Sequence, residues 1–192
     1  MAKPNDVIEN PVTGERIVFR RTAAESAGEA VSFDYFLRSG GSVPLAHVHP
    51  RQQEELRIVS GRARVRLGWH IHRVVAGESV VVPKGAVHRL WNDGDGELHA
   101  VVEFRPALRT EEGFEQLFGL ARDGKLNKRG LPQPLQIAVM AGEYRDELLF
   151  PIVPRFVQSA LLAVLGPIGK RRGYRAFDPS YGSRVGGPAG AE

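Results

Sequence analysis

The sequence predicts a mainly β fold, a closed barrel of short antiparallel strands, followed by an α-helical C-terminal extension. Apolar and polar residues alternate from about residue 16 to residue 105, which is the period of strands with one buried face. Clusters of Gly, Pro, Asn and Asp interrupt this pattern at short intervals, as expected for turns between such strands. After Pro106 apolar residues recur three and four positions apart, which is the period of an amphipathic helix.

The strand predictions depend on which residues share a face. Successive side chains of a strand point to opposite sides, so every second residue faces the same way. The inward residues are expected to be Val31, Phe33, Tyr35 and Leu37 in one strand, Ala63, Val65 and Leu67 in another, and Leu98, Ala100, Val102 and Phe104 in the last. Gly68–Trp69 and Ala76–Gly77 are expected to form turns between strands.

Three helices are expected after the barrel. In the first, Thr110 can cap the N-terminus and Gly124 can end the helix. The second is expected to begin near Pro134, and the third to run from Arg155 to about Leu165. The chain therefore divides into four segments, namely an N-terminal arm (1–15), a barrel (16–106), a helical extension (107–182) and a flexible tail (183–192).

The stretch Leu148–Ile168 is long enough to cross a membrane. It contains four residues that are unfavourable inside a bilayer, namely Pro151, Pro154, Arg155 and Gln158. A helix packed against the barrel or against a partner in a homodimer is the preferred interpretation. A helix lying on a membrane surface beside the basic residues 170–172 is the alternative.

Composition excludes several classes of function. With 192 residues, 42% hydrophobic and 25% charged, the chain fits one globular domain with an appendage. The net charge of +4 is mild and its basic residues are scattered, so nucleic acid is not an expected partner. There are no cysteines, so a bound metal must take nitrogen and oxygen ligands. Because residues 1–15 lack the apolar segment of a signal peptide, a cytoplasmic location is expected.

The segment AHVHPRQQEELRIVSG, residues 46–61, carries the strongest chemical signal. His47 and His49 are two positions apart, so on a strand their imidazoles project from one face and can converge on one metal ion. Alone, an H-x-H pattern is a weak signal. Two glutamates follow, and Glu54 shares the apolar face of its strand whereas Glu55 does not. Strand periodicity thus selects Glu54 as the inward carboxylate.

Two longer patterns surround these residues. The first, G-x5-H-x-H-x4-E-x6-G, is matched by Gly41, His47, His49, Glu54 and Gly61. The second, G-x5-P-x-G-x2-H-x3-N, is matched by Gly77, Pro83, Gly85, His88 and Asn92. Together they resemble the two signature motifs of the cupin superfamily, over about residues 16–105.

The resemblance implies a double-stranded β-helix, or jelly-roll, barrel with a metal site inside it. Its ligands would be His47, His49, Glu54 and His88. Three imidazoles and a carboxylate suit one divalent transition metal, Fe, Mn, Ni, Cu or Zn, and leave positions open for a small-molecule substrate or ligand.

Other residues receive less specific assignments. Phe33, Tyr35 and Leu67 are candidates for lining a substrate pocket, although each can also be ordinary core. A second H-x-H, His70 and His72, is expected on the strand surface, because no carboxylate stands near it at ligand spacing.

Three functions fit these observations. The first is a metal-dependent small-molecule enzyme, an oxygenase, and the second is a non-redox isomerase, decarboxylase or cyclase using the same metal. The third is a binding or sensor protein that holds a small ligand without transforming it. No catalytic residue beyond the metal ligands can be named from the sequence.

Overall fold

The computed structural model describes residues 2–151 and 154–182. Within these ranges the strands are β1 (Val7–Asn10), β2 (Glu15–Arg21), β3 (Val31–Leu37), β4 (Gln53–Ser60), β5 (Arg62–Leu67), β6 (His70–Val75), β7 (Ser79–Val82), β8 (His88–Asn92) and β9 (Leu98–Arg105). The helices are α1 (Thr110–Arg122), α2 (Pro134–Glu143) and α3 (Arg155–Arg171), and a 3-10 turn follows at Pro179–Tyr181.

The strands form two antiparallel sheets, which confirms the mainly β barrel with a helical extension. One sheet has six strands in the order β1-β2-β3-β9-β4-β7, and the other has three in the order β6-β5-β8. Their inner faces share one hydrophobic core, in which β3 and β9 bury every second residue as the alternation predicts. The largest buried side chains of this core include Ile17, Phe33, Leu56 and Leu98.

The barrel begins earlier than residue 16. Val7–Asn10 form β1, whose Ile8 pairs with Ile17 of β2 and is buried. The short run VIEN, with turn-forming residues on both sides, is too brief for periodicity to reveal it. Part of the expected N-terminal arm, Val7–Asn10 together with Glu15, therefore belongs to the larger sheet.

The three helices lie where the sequence predicts them, and only the start of α1 and the end of α3 differ from the prediction. Thr110 is the first helical residue rather than the cap, and its hydroxyl donates to the Ala107 carbonyl at 2.8 Å. Gly124 follows the end of α1 with φ of +69°, and α2 begins at Pro134, as predicted. The third helix continues to Arg171 instead of ending near Leu165.

The longer α3 is explained by its packing on α2. Gly169 approaches α2 so closely that a Cβ there would lie 2.6 Å from Cγ2 of Val139. This contact holds the last turns of α3, which would otherwise be expected to end at Pro167.

None of the described helices is long and apolar enough to cross a membrane. On α3, Phe156, Leu161 and Val164 remain exposed. The homodimer stays a prediction, and the tail at 183–192 lies outside the described residues.

Candidate metal centre

The side chains of His47, His49, Glu54 and His88 meet inside the barrel. One ligand atom from each can be chosen so that all four lie within 4.8 Å of one another. Both motifs contribute, because the first supplies three of these residues and the second supplies His88. The structure thus brings together all four residues that the cupin resemblance implies.

The backbone explains how the residues converge. His47 and His88 form an isolated antiparallel bridge, in which each backbone N–H donates to the other's carbonyl at 3.0 and 2.9 Å. Gly85, whose φ of +77° favours glycine, donates its N–H to the carbonyl of His49 at 2.9 Å. Glu54 lies between Val82 and Phe104 in the larger sheet, with its side chain buried as parity predicts.

Each imidazole is oriented by a backbone carbonyl. Nδ1 lies 3.1 Å from the Leu45 carbonyl in His47, 3.1 Å from the Ala86 carbonyl in His88, and 2.6 Å from the Glu147 carbonyl in His49. A carbonyl can only accept, so Nδ1 carries the proton and donates it in each ring. The opposite nitrogen, Nε2, is thereby left with its lone pair for a metal.

The contact between His88 and Glu54 indicates whether these residues fit a metal ion. Nε2 of His88 and Oε2 of Glu54 are 2.8 Å apart, and both are buried acceptors when the His88 proton resides on Nδ1. Two acceptors this close require a cation, which is either a second proton on His88 or a metal ion. Nε2 of His49 is likewise buried and has no hydrogen-bond partner in the described part of the chain. The donor set therefore fits a metal ion.

Burial and mutual charge control the protonation of the cluster. Burial, helped by the neighbouring His88 and His49, lowers the pKa of His47 to about 3. Burial also lowers the pKa of His49, whereas it would raise that of Glu54. When His88 is protonated, its hydrogen bond and charge outweigh burial and lower the pKa of Glu54 to about 2. Conversely, burial would lower the pKa of His88, but its bond to Glu54 raises it. Glu54 is an anion and His47 is neutral at neutral pH, as metal binding requires.

The four residues line a largely apolar cavity of about 370 Å³. Phe33 and Tyr35 also line it. Leu67 does not line it. It is the last residue of β5, beside the turn at Gly68–Trp69, and packs against the core as a partly buried side chain.

Part of the cavity wall comes from the helical extension. Phe114 and Leu117 come from α1, and Ile137 and Met140 come from α2. Tyr144 directly follows α2, and Phe150 lies in the segment after it. The sequence alone does not assign any of these residues to the pocket, because no local pattern tells which face of a helix covers a barrel.

The remaining histidines lie away from the cluster. His70 and His72 are exposed on β6, and neither belongs to the group of converging ligands. On the outer face of the larger sheet, Nε2 of His99 lies 2.6 Å from Oδ1 of Asp34 and its ring stacks on Phe36.

A second buried polar group faces the same cavity. The Glu15 carboxyl accepts hydrogen bonds from the Thr13 hydroxyl at 2.5 Å and the Tyr35 hydroxyl at 2.7 Å. Burial raises the pKa of Glu15, while the two hydrogen bonds act in the opposite direction. The sequence held a signal for it, since Glu15 shares its parity with the buried Ile17 and Phe19.

Comparisons with known proteins agree with this architecture. The cupin domain family model matches residues 35–104. A protein named as an oxidoreductase from Arthrobotrys oligospora is 31% identical over 161 residues, covering 76% of this chain and 62% of the relative. The matched part thus spans less than two thirds of that relative's length.

Solved structures with a similar arrangement are more distant. A predicted oxalate decarboxylase from Thermotoga maritima is 18% identical with a TM-score of 0.48, over 54% of this chain and 92% of that one. A conserved protein with a double-stranded β-helix domain from Klebsiella pneumoniae is 19% identical with a TM-score of 0.43, over 56% and 84%. The matched residues 35–104 contain both motifs and all four clustered residues, and this part of the chain is a cupin domain.

Proposed function

We propose that this protein is a metal-dependent small-molecule enzyme of the oxygenase type. The observation that carries the proposal is the convergence of three imidazoles and one carboxylate, within 4.8 Å, on the wall of an apolar cavity. A metal held there supplies Lewis-acid or redox chemistry at its open positions. The relative named as an oxidoreductase supports the redox alternative.

The protein's own contribution is to orient the ligands and exclude bulk water. Backbone carbonyls hold the imidazoles with Nε2 toward the cavity. Aromatic side chains, including Phe33, Phe104 and Phe114, surround the space next to them. A dry, apolar enclosure protects reactive intermediates from side reactions with water.

Polar atoms on the wall indicate what a substrate must offer. Oε1 of Gln52 and Oε2 of Glu147 are buried, belong to residues that line the cavity, and lack a hydrogen-bond partner among the described residues. The Gln52 amide group is fixed in orientation, because its Nε2 donates to Pro106, Ala107 and Thr110. We therefore favour a mostly apolar substrate with oxygen atoms for the metal and a hydroxyl or amine that donates hydrogen bonds.

Non-redox acid–base chemistry is the second candidate, and Glu15 favours it. A buried carboxyl with a raised pKa, bonded to the Tyr35 hydroxyl on the wall of the same cavity, has the character of a proton-transfer group. Isomerisation, decarboxylation or cyclisation would use such a group beside a metal.

Oxygen uptake with defined metals distinguishes the two candidates. The protein would be loaded separately with Fe(II), Mn(II), Ni(II), Cu(II) and Zn(II), and each form tested anaerobically for binding of catechols, flavonols and diketones. Substrate-dependent oxygen uptake that disappears in His88→Ala supports the oxygenase. Turnover at the same rate without oxygen supports the non-redox enzyme, and binding without turnover of any bound compound contradicts both.

A further inference from the structure

We propose that the helical extension is part of the metal centre, with Glu147 as the positioning residue for His49. The inference rests on the proposed metal-binding function and goes beyond it, since it assigns a role to a segment outside the matched cupin domain.

The three histidines differ in what orients them. His47 and His88 each donate to the carbonyl two residues earlier in the chain, Leu45 and Ala86. Their orientation is thus determined inside the barrel. His49 instead donates to the carbonyl of Glu147, 98 residues further along and outside the barrel, and at 2.6 Å this is the shortest of the three contacts.

Glu147 is held in place by both its backbone and its side chain. Its N–H donates to the Tyr144 carbonyl at 3.1 Å. Its Oε1 accepts from the backbone N–H of Arg109, directly before α1, at 3.1 Å. The residue is only 8% exposed. The side chain therefore ties the carbonyl that meets His49 to the start of α1.

An antiparallel bridge close to this contact also holds the segment around Glu147 against the barrel. Val48 and Leu149 form an antiparallel bridge, with a hydrogen bond of 2.9 Å in each direction. This bridge joins the residue before His49 to the second residue after Glu147. It brings the two partners of the 2.6 Å contact together in a defined register.

The contacts make the extension a determinant of metal affinity. When the segment is docked, the ring of His49 is held in the tautomer and orientation that present Nε2 to the metal. When the Glu147 side chain is removed, the bond to Arg109 is lost and the carbonyl is less restrained. Loss of such supporting contacts lowers metal affinity by roughly 10- to 100-fold in other proteins.

The test measures Zn(II) and Cu(II) dissociation constants by chelator competition, together with the Cu(II) EPR spectrum. Glu147→Ala should weaken binding by roughly 10-fold or more and change the EPR parameters. Glu147→Gln retains an oxygen that can accept from Arg109 and should stay close to wild type. The exposed Arg145→Ala is the matched control and should change neither reading.

A double-mutant cycle shows whether Glu147 acts through His49. In a His49→Ala background, Glu147→Ala should have no further effect on metal affinity, because the ring that it positions is absent. Should Glu147→Ala fail to fold, the cycle is run with Glu147→Asp, which keeps the charge but is shorter by one methylene. An equal loss of affinity in both backgrounds, or wild-type affinity and EPR in Glu147→Ala, overturns the inference. Failure of the wild type to bind metal would instead contradict the proposed function.

Discussion

His49 and Glu147 are 98 residues apart in the chain, yet Nδ1 of the histidine lies 2.6 Å from the backbone carbonyl of the glutamate. The contact joins the barrel to the helical extension at the metal cluster itself. It also gives the extension a role beyond covering the cavity, because the same segment orients one of the four proposed ligands.

The buried carboxyl of Glu15 should make stability depend on pH. Burial raises its pKa above the ordinary 4.5, so between the unfolded and folded values the native state binds more protons than the unfolded state. Stability therefore falls as pH rises through this window. Glu15→Gln, which cannot ionise, should gain stability relative to wild type as pH rises.

Urea unfolding of both proteins from roughly pH 4 to 8 checks this, since titrations common to both cancel in the difference. A constant difference across that range would show that Glu15 does not carry a raised pKa.

Gln52 should stabilise the junction between barrel and extension. Its Nε2 donates to the carbonyls of Pro106 and Ala107 and to the hydroxyl of Thr110, all at 2.7 to 2.9 Å. Gln52→Ala removes the donor of all three bonds, although the Ala107 carbonyl still accepts from Thr110. The loss should lower the free energy of unfolding by roughly 1–3 kcal/mol. The exposed neighbour Gln53→Ala is the control and should change it by no more than about 0.5 kcal/mol. Equal effects in chemical denaturation would mean that the buried amide bonds contribute little.

Alanine substitutions at two turn glycines should distinguish the cost of backbone strain from the cost of a close contact. Gly61 and Gly77 have similar positive φ values of +87° and +90°, which disfavour alanine. A Cβ at Gly61 would lie 3.2 Å from the Glu97 carbonyl and the Leu98 Cα, whereas at Gly77 nothing lies within 4 Å. Gly77→Ala should lower the free energy of unfolding by roughly 1–2 kcal/mol, because the only cost is the positive φ. Gly61→Ala should lower it by more, because the added Cβ also meets the backbone. If the two variants lost the same stability in urea and in thermal unfolding, the close contact at Gly61 would carry no cost.

The sequence predicts the ligand cluster well and its surroundings less well. Glu54 could be distinguished from Glu55 by strand parity, because inward and outward positions alternate along a strand whatever the tertiary contacts. Leu67 has the correct parity for a pocket residue but stands at a strand end, where parity no longer decides what a side chain touches.

Glu147 carried no signal, since the atom that meets His49 is a backbone carbonyl and any residue type has one. Its position depends on how the extension docks on the barrel, which is a long-range contact. Glu15 obeyed parity but lay one residue before the expected start of the barrel.

The metal content of protein produced without a metal-affinity tag tests the central claim most directly. Elemental analysis of the wild type should find a divalent transition metal, and Glu54→Ala and His88→Ala should lose most of it, since each removes a converging ligand. Glu55→Ala and His70→Ala should retain the wild-type content, because both side chains lie outside the cluster. Loss of the metal in Glu55→Ala together with its retention in Glu54→Ala would contradict the account.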